Sequence, residues 1–227
     1  MDDRTFDETT AREWIETIEG AQSSPRDHDI YPRLNVWLRD TQPAALLEVG
    51  SGQGVCSDKI DLERCLYTGV EPSPYLLQRA NELYAGGHRR FVQGSAYSMP
   101  CDADSFDAAF SVAVWHLLND LSTAARELGR VLRTCGSFLI ITANPAAYAL
   151  WTERYAAVHL DGRRVEGQTR NGDGSVSTDV LYLHTLEEIT GSLDSAGLAP
   201  RTIETFRTTR SGDSFLAIEG EKKARNG

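Results

Sequence analysis

The stretch Ala45-Leu46-Leu47-Glu48-Val49-Gly50-Ser51-Gly52-Gln53-Gly54 decides the fold. Ala45 to Val49, apolar but for Glu48, has the composition of a short buried strand. Three glycines at alternate positions then let the backbone take positive φ and come close to a ligand. A helix after such a turn would aim its free N–H groups at that ligand. The acid discriminates between ligands. A loop that cradles a pyrophosphate has the spacing G-x-G-x-x-G and is poorly matched to a carboxylate at the strand end. Here the spacing is G-x-G-x-G, with Glu48 two residues before the first glycine. That arrangement suits a ligand carrying an ammonium or sulfonium group.

A second acid follows at a telling distance. Cys65 to Val70 forms another apolar strand ending in Glu71, and from Gly54 to Glu71 is 71 − 54 = 17 positions, about one helix and one strand. Glu71 therefore falls at the carboxyl end of the neighbouring strand, where a carboxylate accepts both hydroxyls of a ribose. By itself Glu71 also fits NAD; together with Glu48 it favours a cationic nucleoside.

On these residues the chain resembles the class I S-adenosylmethionine-dependent methyltransferases of the small-molecule type, whose first motif is an acid followed by G-x-G-x-G. Glu127-Leu128-Gly129-Arg130-Val131-Leu132, ahead of the strand Phe138 to Thr142, resembles the family's passage before its fifth strand, with Thr134-Cys135-Gly136 replacing Pro-Gly-Gly. The resemblance runs from about residue 25 to about residue 220. It implies an α/β fold: a Rossmann-like doubly wound seven-stranded sheet, mostly parallel with an antiparallel last strand, plus N-terminal lid helices and an inserted β-hairpin. The expected organisation is a helical extension or lid over 1–43, a methyltransferase domain over 44–220 with the hairpin at 160–183, and a disordered tail over 221–227.

The chain order supports that plan. Trp14, Ile15 and Ile18 share one helical face between Thr9 and Glu19, and Leu34, Trp37 and Leu38 share another. Ser73-Pro74 starts a helix carrying Leu76, Leu77, Ala80 and Leu83, and Asp120 caps one carrying Leu121, Ala124, Ala125, Leu128, Val131 and Leu132. A helix is expected over Ala146 to Ala157. Asn171-Gly172 predicts a hairpin turn, with Val176, Thr178, Val180 and Tyr182 alternating after it. Thr185-Leu186-Glu187-Glu188 is a capping box. Two final strands are expected near Arg201 to Phe206 and Ser214 to Ile218.

The resemblance also implies site residues. Glu48, Gly50, Ser51 and Gly52 form the cofactor loop, Glu71 and Pro72 the ribose end, and Ser95 and Ala96 the adenine turn, with Ser95 where an Asp is usual. Ser111, at the end of the fourth strand, and Tyr31, in the lid, complete the cofactor set; Arg33 is a second lid contact. The implied cofactor is S-adenosyl-L-methionine, giving S-adenosyl-L-homocysteine. Catechol-type relatives hold magnesium with an Asp at that fourth strand end, where this chain has Ser111, so no metal is expected. His116 and His184 are the candidate bases, since imidazole removes a proton near neutrality. Tyr97, Trp115, Trp151, Tyr155 and Tyr182 are candidates for an apolar pocket, although aromatic residues at such spacings are also ordinary core.

Composition narrows the partners. The 227 residues suit one α/β domain, and a formal net charge of -10 with a pI near 5.0 argues against nucleic acid and anionic membranes. Neither a long apolar run nor a basic-then-apolar leader is present, so a cytoplasmic monomer or homodimer is expected. Cys56, Cys65, Cys101 and Cys135 form no C-x-x-C pair and are expected to be reduced thiols. The function that follows is methyl transfer to a small organic acceptor, by oxygen or nitrogen rather than carbon. Two alternatives stay open: a non-methylating reaction that uses the same cofactor, and a nicotinamide oxidoreductase. The latter is disfavoured by Glu48, by the glycine spacing and by the lack of a Tyr-x-x-x-Lys pair.

Overall fold

Apolar runs with a period of two, buried on both faces, build the centre of the molecule. In a computed structural model that describes residues 8–20, 26–63, 65–149, 157–170, 176–207 and 214–224, β1 (Ala45–Val49), β2 (Leu66–Glu71), β3 (Arg89–Gln93), β4 (Phe106–Val112), β5 (Leu132–Ala143), β9 (Leu198–Arg207) and β10 (Ser214–Lys222) form one sheet. Its order is β3-β2-β1-β4-β5-β10-β9. The first five strands are parallel, and β10 runs antiparallel to both β5 and β9. The expected doubly wound sheet is thus present, with its antiparallel strand one place in from the edge.

The alternation of β1 divides the core into two layers. Leu47 and Val49 pack with Leu121, Ala125 and Leu128 of α5 (Leu121–Val131) and with Ile189 and Leu193 of α6 (Leu186–Ser195). Leu46, on the other face, packs with Leu34, Trp37 and Leu38 of α2 (Tyr31–Thr41) and with Cys56 of α3 (Cys56–Lys59). Ahead of these stands α1 (Glu8–Gly20), and a π turn over Arg26–Ile30 leads into α2. The Ser73 hydroxyl caps α4 (Pro74–Tyr84), the Asp120 carboxylate caps α5, and the Thr185–Glu188 capping box starts α6. Within α4, Leu76 and Ala80 are buried while Leu83 is exposed, so that stripe is one turn shorter than the pattern suggests.

Three expectations change. The insert is larger than expected: β7 (Arg164–Arg170) and β8 (Val176–Tyr182) form the antiparallel hairpin expected over 160–183, and β6 (Ala157–Asp161) adds a third strand on the other side of β7. Ala157, expected to close a helix, opens β6 and pairs with Gln168; of that helix the described residues include a 3-10 turn at Pro145–Ala147 that runs into α-helix at Tyr148 and Ala149. Residues 150–156, and the turn at Asn171-Gly172, lie outside the described residues. Second, β9 begins at Leu198 and not near Arg201. Pro200 lies inside it, but β9 is the sheet's edge strand, where a missing N–H is tolerated, and a register shift at Glu219/Gly220 absorbs it. Third, β10 continues through Lys222, inside the span expected to be a disordered tail. The Lys222 ammonium is buried and donates to Asp104 Oδ1 and to the Leu132 carbonyl, both at 2.6 Å, which fixes the chain there.

Candidate functional site: the carboxyl edge of β1, β2 and β4

Parallel strands deliver their carboxyl ends to one edge, and the loops leaving that edge form the ligand crevice. At β1 the glycine loop turns sharply. Gly50 has φ +75°, and a Cβ built there would stand 2.5 Å from Val114 Cγ2. The glycine is therefore required twice, by its conformation and by the close approach of the chain leaving β4. Gly50→Ala is expected to cost about 1–2 kcal/mol from the backbone alone, and more from displacing Val114; a thermal melt reads the loss.

The loop's own amides face inward. Gly50 N and Ser51 N donate to Val70 O at 2.8 and 3.0 Å, and Gly54 N to Ser51 O at 3.0 Å. Gly52 N donates to Glu71 Oε2 at 2.9 Å, while Ser73 N donates to Oε1 at 2.9 Å. Glu71 thus ties the ends of β1 and β2 together, and each of its oxygens keeps a second lone pair for an incoming hydroxyl. Burial pushes its carboxyl up to about 7, against the two amide bonds. The Pro72 carbonyl accepts from Gln93 at 3.5 Å.

Glu48 sits beneath the loop in a polar network that the linear sequence does not announce. The Tyr67 hydroxyl and the Cys56 thiol both donate to its carboxylate, and the Tyr31 hydroxyl donates to Cys56. Burial raises the Glu48 carboxyl to about 7, and those hydrogen bonds oppose it. Burial likewise raises the phenols of Tyr31 and Tyr67 and the thiol of Cys56, so all three are protonated donors near neutrality. Tyr31 was expected at the cofactor; it meets the site through Cys56 and Glu48. Arg33 turns to the sheet edge, pairing with Glu204 at 2.7 Å and lying 4.7 Å over the Phe206 ring.

The side chain that does reach the loop from the extension is Trp14 of α1, whose Nε1 stands 3.9 Å from the position of a Gly52 Cβ. Arg26 stacks over the Trp14 ring at 5.2 Å. Its charge is felt by Glu48, Cys56, Tyr31 and His116.

At the third strand's exit, Ser95 Oγ accepts from Tyr97 N at 3.3 Å, holding the turn in which Ala96 is buried. Tyr97 spans to the segment after β4: its hydroxyl donates to Asn119 Oδ1 at 2.9 Å and accepts from Asn119 N at 2.9 Å. Ser111 lines an interior void of about 10 Å³ together with Val49, Ala96 and Trp115. Trp115 is ordinary core. Trp151 and Tyr155 lie outside the described residues.

Ala113 leaves β4 at φ +59°, a strained conformation for a residue with a side chain, and its N–H donates to Ile141 O at 2.7 Å. That kink sets the 3-10 turn Trp115–Leu117, which carries His116. The His116 N–H donates to Thr142 Oγ1 at 3.2 Å. The Thr142 hydroxyl in turn lies 3.0 Å from His116 Nδ1, and Ala143 N donates weakly to that nitrogen at 3.5 Å. Nδ1 is therefore the acceptor and Nε2 carries the proton. Burial, reinforced by the Arg26 charge, holds the imidazole down to about 4. His184 is also buried and depressed; its Nε2 lies 2.6 Å from Leu118 O, and its ring stacks on Tyr182 at 6.1 Å. Both histidines are neutral, and both carry their proton on Nε2.

The edge fits a nucleoside with a cationic amino-acid arm. Two buried acids stand at adjacent strand ends, and Ser51 Oγ, Gln53 Nε2 and Ser111 Oγ are buried without a hydrogen-bond partner. Such orphaned polar atoms are costly unless a ligand or water completes them. Gln53, Tyr67, Cys56, Trp14 and Arg26 are the site residues that the sequence reading did not single out.

Comparison with known proteins agrees with this geometry. A methyltransferase domain family model matches residues 47–140. The chain is 30% identical over 108 residues to a fatty-acid O-methyltransferase of Mycolicibacterium smegmatis, a match covering 47% of this chain and 39% of that relative's length. With a phthiotriol/phenolphthiotriol dimycocerosates methyltransferase of Mycobacterium tuberculosis it shares 26% identity over 219 residues, 92% of this chain and 73% of the relative. Among solved structures, an S-adenosylmethionine-bound amino pentose methyltransferase of Micromonospora echinaspora superposes with a TM-score of 0.61 at 16% identity, covering 91% of this chain and 96% of that one. Glycine loop, paired acids and strand order converge with the family model: residues 47–140 match a methyltransferase domain, carried on a fold shared with solved S-adenosylmethionine-dependent methyltransferases.

Proposed function

We propose that the protein transfers a methyl group from S-adenosylmethionine to a small organic acceptor, at oxygen or nitrogen, without a metal. The observation that carries this reading is the pair of buried carboxylates, Glu48 and Glu71, at the carboxyl ends of adjacent strands. Glu71 would hold the ribose hydroxyls, Glu48 would face the cationic arm, and Ser51, Gln53 and Ser111 would complete their hydrogen bonds on the bound nucleoside. Ala96 would meet the adenine. The cofactor supplies an electrophilic methyl group on a sulfonium, so the chain's own work is to orient the acceptor and exclude water. Ser111, standing where magnesium-dependent relatives need an Asp, supports metal independence. Oxygen is favoured by the fatty-acid O-methyltransferase among the relatives. Trp14 over Gly52 supports a lid role for α1 and its linker.

The test is calorimetric titration of the purified protein with S-adenosylmethionine, S-adenosylhomocysteine and NAD. Micromolar binding of both sulfur compounds and none of NAD is expected; NAD binding alone would overturn the assignment.

A further inference from the structure

The two faces of the sheet are covered unequally at β9 and β10. On one face Leu198, Leu216 and Ile218 are buried with Ile189 and Leu193 of α6. On the other, α2 reaches the strands through Arg33, which pairs with Glu204, and leaves a groove of about 390 Å³ between helix and sheet. The helical wall is one stripe. Asp29, Arg33, Val36 and Asp40 stand at i, i+4, i+7 and i+11 of the run from the π turn through α2, and all line the groove. An acid therefore lies toward each end, 40 − 29 = 11 positions or about 16 Å apart, with Val36 between them. The sheet wall is two register rows: Leu139, Glu219 and Thr202 form one, and Ala217 and Glu204 lie in the next.

Charge and hydrogen bonding are both incomplete there. Arg33, the cation among the lining residues, is engaged by Glu204, whereas Asp40 and Glu219 have no ion-pair partner among the described residues. Burial, together with the charges of Asp40 and Glu204, holds the Glu219 carboxyl above its ordinary value, against the opposing charge of Arg33. Trp37 lines the same groove at 3% exposure, and its Nε1–H has no acceptor. A buried donor is rarely left in that state. The groove thus asks for positive charge, for an oxygen acceptor and for carbon to cover Val36, Leu139 and Ala217. A basic peptide offers all three, and a simple polyamine lacks the oxygen. Size separates the forms such a peptide could take. A helix about 10 Å across, laid along the stripe, would need roughly three times the volume. Five extended residues span about 16 Å, the distance between the two acids.

We infer that the groove docks an extended basic segment of a partner protein. A Lys or Arg of the segment meets Asp29 at one end and Asp40 with Glu219 at the other, an aliphatic residue between them covers the apolar floor, and a main-chain carbonyl accepts from the Trp37 indole. Alternate side chains of a strand share a face, so basic, aliphatic and basic residues at positions one, three and five all turn into the groove. None of the residues proposed for the cofactor lines this surface, and the inference stands apart from the methyltransferase reading.

The experiment titrates the full chain calorimetrically at low salt, where exposed charges are least screened. The probes are the end-capped peptide Lys-Ala-Leu-Ala-Lys, its acidic counterpart Glu-Ala-Leu-Ala-Glu, and spermine. The basic peptide is expected to bind, the acidic one not to bind, and spermine to bind at least tenfold more weakly. The double variant Asp40→Asn/Glu219→Gln, which changes exposed side chains, should melt near the wild type and lose at least tenfold in affinity for the basic peptide. Trp37→Phe keeps the ring and removes the donor; it should weaken the peptide at least threefold and leave spermine unchanged. Absence of binding by the basic peptide, or equal binding of the acidic one, would overturn the proposal. So would a double variant that binds the basic peptide as the wild type does. Spermine binding as tightly as the peptide would also overturn it, by giving the groove to free polyamines.

Discussion

Raising the pH from about 5 to about 8 is expected to lower the stability of the ligand-free protein by on the order of 5 kcal/mol through Glu48 and Glu71 alone. Both carboxyls move from an ordinary 4.5 to about 7 in the folded chain, mainly by burial. Between those two values the native state holds protons that the unfolded state has released, so unfolding loses protons and its free energy falls as pH rises. The contribution is fully present below pH 4.5 and is gone once pH passes about 7. Urea melts across that range read it as a declining midpoint. Glu48→Gln keeps an oxygen for the Tyr67 hydroxyl but cannot ionise, and should remove about half of the decline; a variant with the wild-type slope would show that Glu48 is not held protonated. Saturating S-adenosylhomocysteine, whose ammonium favours ionised Glu48, should restore stability most strongly above pH 7.

The elements that were legible in the chain are those whose causes are local. The glycine loop declares itself because positive φ and close approach need glycine, and the adjacency of β1 and β2 follows from acids placed one helix and one strand apart. The caps at Ser73, Asp120 and Thr185 are short-range hydrogen bonds and appear where their residues stand. What was not legible depends on pairing between distant segments. Cys56 reads as an ordinary thiol until α3 sets it between Tyr31 and Glu48, and Tyr67 until the β1–β2 register brings its hydroxyl to the same carboxylate. The tautomer of His116 is decided by Thr142, on the neighbouring strand, and so no inspection of residues 111–116 could separate a base from a donor. Arg26 carries no motif; only the docking of Trp14 over Gly52 gives it a role. The β6 strand was missed because Ala146 to Ala157 has helical composition, while its pairing partner is β7.

Glu71→Ala is expected to separate binding from folding. In the wild type Glu71 accepts from Gly52 N and Ser73 N at 2.9 Å each, and the same oxygens are the acceptors proposed for the ribose hydroxyls. Removing them takes away charged hydrogen bonds to the ligand, a loss of about 1–3 kcal/mol, or roughly 5- to 150-fold in affinity. Folding feels two opposing terms. The Gly52 and Ser73 amides lose their partner, which destabilises, but the cost of burying a carboxylate that ionises near pH 7 disappears as well. The terms offset most closely above neutrality, so at pH 8 the variant should melt near the wild type while its calorimetric affinity for S-adenosylhomocysteine collapses. Glu71→Gln sharpens the comparison, because its amide can face only one of the two backbone N–H groups with an acceptor. It should keep part of the binding and lose its dependence on pH through this site. A Glu71→Ala protein that binds S-adenosylhomocysteine as tightly as wild type would remove Glu71 from the ribose, and with it the reason the acid stands 17 residues beyond Gly54.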